Sequence, residues 1–373
     1  MIALYDTTLR DGEQHEGISL TVEDKLRIVT RLDALGVAYI EGGYPASNPI
    51  EALFYREVAA LNLKHATISA FGRVPPSGMN PFDDDNLRAL AASQAQVVTL
   101  AGMASQRLVT EVLEMGADEN LHAVDAAIRY LTQHDKRVFF DAEHFFDGYK
   151  HSPTYALAVL LTAWGAGADA LVLCDSNGGV LPSEIYKTVR TAVGALRGGG
   201  VAVPVGIRAH NDSGCAVANS LEAVRAGATQ VQGSINGYGA RVGNTDLLVV
   251  LANLQLKMAY ELVSPEQLAQ LTATSLLVSE VFEIDQDANQ PYVGLNAFAH
   301  DPFDAPTVRQ QRANEHINPA SVGNSPASGE GGLIDEESLL EQVLDSRRAH
   351  TGDNKALALL ERAMRNVSTD YLD

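Results

Sequence analysis

Eight short apolar runs, separated by longer amphipathic stretches, restrict the fold of this chain more than any other feature. The runs are Ile2–Tyr5, Ala38–Ile40, Ala66–Phe71, Gln96–Leu100, Arg137–Asp141, Ala168–Cys174, Val203–Ile207 and Thr229–Ile235. Helical periodicity occupies intervals between them, as over Thr21–Leu35, Glu111–Gln133, Thr154–Trp164, Pro182–Leu196 and Ala216–Ala226. Strands that alternate with helices predict a parallel sheet, because each crossover needs room for a helix. Most runs are continuous rather than alternating, as in strands covered on both faces. Eight such units are the number that closes a barrel. Punctuation agrees with this reading. Thr21 precedes Asp24 at capping-box spacing, Ser183 follows Pro182, and Gly36, Gly165 and Gly227 stand where helices should end.

The fold class is therefore α/β, a (β/α)8 TIM barrel with a C-terminal, mainly helical subdomain. The barrel takes residues 1–262 and is completed by a helix over about Thr245–Tyr260. The subdomain takes residues 263–373. It comprises a helix over Ser264–Phe282, a Pro-, Asn-, Ala- and Gly-rich linker or lid over 283–333, and helices over Glu336–Arg347 and Lys355–Arg365. No regulatory domain is expected beyond them. With 46% apolar residues in 373, a sizeable core is available. A net charge of −20 argues against nucleic acid and anionic membranes as partners, so an anionic ligand needs a local basic pocket. Cys174 and Cys215 are too few for a disulfide framework, which places the expectation in a reducing cytoplasm. No signal peptide opens the chain, and no apolar run has membrane-spanning length.

Chemistry in such a barrel collects at the C-terminal ends of the strands. The first strand delivers Arg10, Asp11 and Gln14, the second Glu41 to Pro45, and the third Arg73. Asp141, Glu143 and His144 follow the fifth, and Asp175, Ser176 and Asn177 the sixth. Arg208, His210, Asn211 and Asp212 end the seventh, while Arg241 and Asn244 follow the eighth. Only the fourth ends in an apolar segment, Ala101-Gly102-Met103. Singly, each has a plain structural reading: Arg10 with Asp11 as an ion pair, Asp175-Ser176-Asn177 as a helix cap, His210 as a core histidine. Seven polar ends out of eight point instead to a site for an anionic small molecule. Asp11, His210 and Asn244 offer two oxygens and one nitrogen to a divalent cation such as magnesium, manganese or zinc. Open positions would take a substrate chelating through a carboxylate and a keto oxygen.

The stretch Asp6-Thr7-Thr8-Leu9-Arg10-Asp11-Gly12-Glu13-Gln14 resembles the signature of the isopropylmalate, homocitrate and citramalate synthases of the DRE-TIM metallolyase superfamily. Ile40-Glu41-Gly42-Gly43-Tyr44-Pro45-Ala46-Ser47-Asn48-Pro49, the stretch from Asp141 to Tyr149, and Gln232 to Gly239 are most similar to the citramalate synthase branch. The likeness runs from about residue 2 to about 261 and then returns in patches. It implies condensation of an acyl-CoA with a metal-chelated 2-oxo acid, followed by thioester hydrolysis to a 2-hydroxy diacid. Under it, Asp11, His210 and Asn244 would be metal ligands and Arg10 the partner of the developing alkoxide. Glu143 would join the acid/base network, with His300 in the catalytic subdomain. Gln14, Arg73, Ser176, Asn177, Arg208 and Arg241 would line the substrate. A homodimer is implied, its C-terminal segment reaching over the partner's barrel.

Departures from the family pattern fall on reactive positions. The family's His-Ala-His-Asn-Asp is here Arg208-Ala209-His210-Asn211-Asp212, and an arginine has no lone pair for a metal. Its Gly-Glu-Arg is here Gly239-Ala240-Arg241. Its His-Lys-x-Gly-x-His begins at His300, but Asp301 and Ala305 replace the lysine and the second histidine; the pattern resumes at Glu315-His316-Ile317-Asn318-Pro319. Three readings stand at this point. One is an enzyme that forms or cleaves a C–C bond on a 2-oxo or 2-hydroxy acid with altered chemistry. The second is an ordinary metal-dependent citramalate synthase. The third is a non-catalytic barrel kept as a binding or partner subunit.

Overall fold

The computed structural model describes residues 2–45, 47–75, 79–200, 204–299 and 315–325. Strands and helices alternate as the apolar runs predict: β1 (Ala3–Asp6), α1 (Val22–Leu35), β2 (Tyr39–Glu41), α2 (Pro49–Val58), β3 (Thr67–Arg73), α3 (Asp85–Ala92) and β4 (Val97–Met103). Then come α4 (Gln106–Glu111), α5 (Ala117–Gln133), β5 (Arg137–Glu143), α6 (Phe145–His151), α7 (Pro153–Gly165), β6 (Ala170–Asp175) and α8 (Pro182–Gly198). Next are β7 (Val205–Ala209), α9 (Ala216–Arg225), β8 (Gln230–Gly233), α10 (Leu247–Leu256), α11 (Pro265–Leu268) and α12 (Leu271–Phe282). The strands close in sequence order, and β8 pairs in parallel with β1.

Three predicted helices differ from those observed, each for a local reason. Glu111–Gln133 is two helices, α4 and α5, because Glu114 is left-handed (φ 54°) and Glu119 caps the new start by accepting from the Gly116 N–H at 2.6 Å. Ser264–Phe282 also divides, into α11 under a Ser264–Gln267 capping box and α12. Thr245–Tyr260 shortens to α10, which Asp246 caps through the Leu248 and Val249 N–H groups. Glu336–Arg347 and Lys355–Arg365 lie outside the described residues, and no described helix is long and apolar enough to cross a membrane.

Strand parity decides what fills the barrel. Alternate residues face opposite sides of a strand, so Tyr39 and Glu41, Val97 and Thr99, and Phe139 and Asp141 share faces. The first of each pair packs inside with Tyr5 and Ala170, as an apolar plug of tilted and edge-on rings. The second lies one step nearer the carboxyl end, where the interior turns polar. The opposite faces of the strands, including Ile40, Val98, Phe140, Leu173, Ile207 and Val231, join the helices in the main core. On the outside, α12 is tied to α1 by Arg31 Nε, which donates to Thr274 Oγ1 at 2.9 Å. It also holds the loop after β8. Asn236 donates to the Ser275 carbonyl at 3.1 Å, and Tyr238 stacks on Phe282.

Glycine at position 148 is required by a close backbone approach. A Cβ there would sit 2.3 Å from the Ala104 carbonyl oxygen and 2.8 Å from Ser105 Cα. Gly165, at the end of α7, has nothing within 4 Å of such an atom. Gly148→Ala should therefore cost about 1–3 kcal/mol. Gly165→Ala should be neutral or gain up to ~1 kcal/mol. Urea denaturation reads both, and coincident midpoints for the two variants would contradict this packing.

Candidate active site

Four strands, β1, β2, β5 and β7, contribute charged groups to one buried ion cluster. Arg208, inward-facing on β7, donates from Nη2 to both oxygens of Asp11, at 2.8 and 2.7 Å, and from Nη1 to Asp141 Oδ2 at 3.2 Å. The other Asp141 oxygen accepts from Gln232 on β8 at 3.0 Å. Arg10, beside Asp11, is ion-paired to it and donates from Nε to Glu41 Oε1 at 2.5 Å. Its guanidinium lies 3.8 Å from the centre of the Phe71 ring. Glu41 accepts in turn from the Tyr5 hydroxyl at 2.7 Å, which joins the site to the apolar plug. Arg10, Asp11, Glu41, Asp141 and Arg208 are all buried.

Burial and charge act against each other here. Burial alone would raise the Asp11 carboxyl, but the guanidinium groups of Arg10 and Arg208 outweigh it and hold the group below its ordinary value. Asp141 has lost more to burial than Arg208 restores, and it is pushed up to about 7. Two guanidinium groups thus face three carboxyl groups, and Asp141 is the one that burial shifts towards its neutral form. Burial, then Arg208, lowers His210 to about 4, so its ring is neutral at physiological pH.

Several buried polar atoms in this region have no protein partner. They are Arg10 Nη2, Arg208 Nε, Asp175 Oδ1 and both side-chain amide atoms of Asn244. Each unsatisfied buried group costs about 1–3 kcal/mol unless water or a ligand meets it. His210 and Asn244 face each other through an isolated antiparallel bridge, and His210 Nδ1 lies 3.3 Å from the Asp175 carbonyl.

Of the residues singled out in the sequence, Arg10, Asp11 and Arg208 come together, with His210 and Asn244 beside them. The others are held in separate contacts. Arg73 reaches Glu143 at 3.5 Å and the Tyr44 hydroxyl at 3.3 Å. Arg241 is bidentate on Asp212, at 2.7 and 2.8 Å, and donates to the Ser176 carbonyl. Ser176 Oγ accepts from the His144 N–H, and Asn177 donates to Asp147. Gln14 is exposed, and His300, Asp301 and Ala305 lie outside the described residues. The sequence places Glu41 and Asp141 at strand ends without giving them a role, and Gln232 only inside a motif; the signal for their role is a polar residue sharing strand parity with apolar interior ones. The sequence also gives no role to Lys25, fully buried on α1 between Glu13 (2.9 Å) and Glu51.

The resemblance implies a divalent metal on Asp11, His210 and Asn244. As placed, these residues do not fit one. A guanidinium takes both oxygens of Asp11, and a cation added there would meet the positive charges of Arg10 and Arg208. Among the described residues, no group of three His, Cys, Asp or Glu side chains forms a ligand set.

Fold and site together define a (β/α)8 barrel that gathers guanidinium and carboxylate groups at its carboxyl rim, an arrangement suited to small anions. Residues 1–278 match the HMGL-like family, and the chain belongs to that family. It is 44% identical over 325 residues to an (R)-citramalate synthase of Aquifex aeolicus, covering 87% of this chain and 61% of that one. It is 46% identical over 347 residues to the Synechocystis enzyme of that name, covering 91% and 62%. For the Geobacter sulfurreducens (R)-citramalate synthase the figures are 41% over 379 residues, 100% and 70%. The chain thus spans about three fifths of the length of the first two relatives. Among solved structures, a hydroxymethylglutaryl-CoA lyase from Pseudomonas aeruginosa superposes with a TM-score of 0.63, at 20% identity, over 76% of this chain and 94% of that one. The HMG-CoA lyase of Brucella melitensis gives 0.59 at 20%, over 76% and 99%. At such identity the likeness shows the barrel alone.

Asp6 titrates without a cationic partner among the described residues, and the like charge of Glu41 adds to the effect of burial. It is fully buried and accepts from the Thr8 N–H and hydroxyl, at 3.0 and 2.8 Å. Burial pushes its carboxyl up to about 7. A carboxyl whose folded value lies above its unfolded one contributes most stability below the unfolded value and loses it as pH rises through the folded one. Relative to Asp6→Asn, the parent should lose up to ~4 kcal/mol between about pH 4 and pH 7. Denaturation across that range measures the difference, and a flat profile would rule out the titration.

Proposed function

We propose that this chain is an acyltransferase-type enzyme, similar to the citramalate and isopropylmalate synthases, that joins an acyl-CoA to a 2-oxo acid. The observation that carries the reading is the pair Arg10 and Arg208, buried on one carboxylate, each with an unpaired N–H at the barrel's carboxyl rim. Relatives at 41–46% identity that are named (R)-citramalate synthase support it. In this reading the two guanidinium groups hold the carboxylate and keto oxygen of the acid. A rim carboxylate, Glu143, takes a proton from the α-carbon of the acyl group. The resulting carbanion attacks the keto carbon, and its C=O electrons become an alkoxide that Arg10 stabilises. The alkoxide takes up a proton, Glu143 gives up the one it accepted, and water cleaves the thioester, releasing the CoA thiol and a 2-hydroxy diacid. His300 belongs to the acyl-CoA half of the same reading, and a homodimer is its working unit.

A second reading, an ordinary metal-dependent citramalate synthase, is favoured by those same relatives. A stoichiometric divalent ion in the purified chain, together with thiol release, would select it.

The direct experiment is thiol release from acetyl-CoA in the presence of pyruvate and longer 2-oxo acids. Arg10→Ala should lower the rate by about 10²–10³-fold. Glu143→Gln should lower it by about 10²–10⁴-fold. No thiol release with any acid, and no acid-induced rise in Tm, would reject the enzymatic reading.

A further inference from the structure

We propose that Arg208 is the resident cation of this site: its guanidinium stands in for a divalent ion, so a 2-oxo acid binds this chain without metal. The inference rests on the proposed 2-oxo acid specificity.

Its first support is position. Arg208 projects into the barrel from β7 and reaches Asp11 beyond the end of β1 and Asp141 on β5. Two buried carboxyl groups converge on one point, and the guanidinium occupies the place between them where a cation would sit. The second support is how the N–H groups are used. Arg208 engages the protein through Nη1 and Nη2 and leaves Nε unpaired. Arg10 engages it through Nε and Nη1 and leaves Nη2 unpaired. Both guanidinium groups meet the same Asp11 carboxylate, so one spare donor from each adjoins that carboxylate. The Asn244 amide, in the segment that follows β8 and bridges to His210, adds a further unpaired donor and an acceptor.

A 2-oxo acid presents the lone pairs of a carboxylate oxygen and a keto oxygen side by side. A metal would take those lone pairs by coordination; planar N–H donors take the same ones by hydrogen bonds. Buried donors at an ion pair call for a partner, which a bound anion would supply. Charge agrees as well. The guanidinium replaces an imidazole ligand by a fixed positive charge, which attracts an anion while opposing a second cation on Asp11.

The test uses the 373-residue chain stripped with EDTA, titrated calorimetrically with Mn2+ and, separately, followed by thermal melting with pyruvate and longer 2-oxo acids. We expect no saturable Mn2+ binding that Asp11→Asn abolishes, and the same acid-induced rise in Tm in EDTA as in Mn2+. Arg208→His should acquire about one equivalent of Mn2+ and make the rise depend on it. Arg208→Lys, which keeps the charge but loses the fork, should lose the rise without gaining metal. An Asp11-dependent ion in the parent, or a Tm rise that needs Mn2+, overturns the resident cation and leaves the 2-oxo acid reading intact. No rise in either condition overturns both. Should Arg208→His fail to fold, the EDTA and Mn2+ arms on the parent still decide.

Discussion

One guanidinium, that of Arg208, joins strand ends that are separate around the barrel, and the site is built on that contact. It binds Asp11 and Asp141 at once, and through Asp11 it fixes Arg10. Such a cluster is poor evidence of stabilisation, since apolar replacements of buried ion pairs are often neutral or better. Removing one member is different. It strands the others in a dry interior, at about 3–5 kcal/mol. The cluster therefore makes its members interdependent, and the unpaired N–H groups left on its edge point to a ligand rather than to the fold.

The layers around the cluster limit its freedom. Below it, Tyr5 belongs to the apolar plug through its ring and to the polar layer through its hydroxyl, which meets both Glu41 and Thr99. Behind it, the turn that carries Arg10 and Asp11 is tied to α1 and α2, because Glu13 and Glu51 share the buried ammonium of Lys25. The turn is held from the barrel interior by Arg208 and from the helical shell by Lys25. Donors fixed in this way lose little freedom when an anion arrives, which is the physical content of preorganisation.

The barrel was legible because its signal is periodic and repeated. Eight apolar runs survive errors of a residue or two at each boundary. Helix ends were less legible where a single dihedral decides them, as at Glu114, or where a four-residue helix precedes a longer one, as at Ser264. The site was legible in part. Arg10, Asp11 and Arg208 were visible as strand-end residues. Asp141 was visible too, but its contact with Arg208 depends on the relative heights of β5 and β7, set by pairing through β6. Lys25 was not legible, since periodicity does not say which polar side chain a neighbouring helix will cover.

By itself, the sequence determined the strand count, the parallel sheet, the rim on which polar groups collect and the replacement of a family histidine by Arg208. These follow from local pattern and residue identity, which need no partner. Tertiary structure alone decided that Arg208 spends two of its nitrogens on Asp11 and Asp141 and leaves the third without a partner. That outcome depends on barrel closure and strand register, which bring residues 11, 141 and 208 within hydrogen-bonding distance. Whether a charged side chain is paired, and with what, is a property of that enclosed space and not of the strand that carries it.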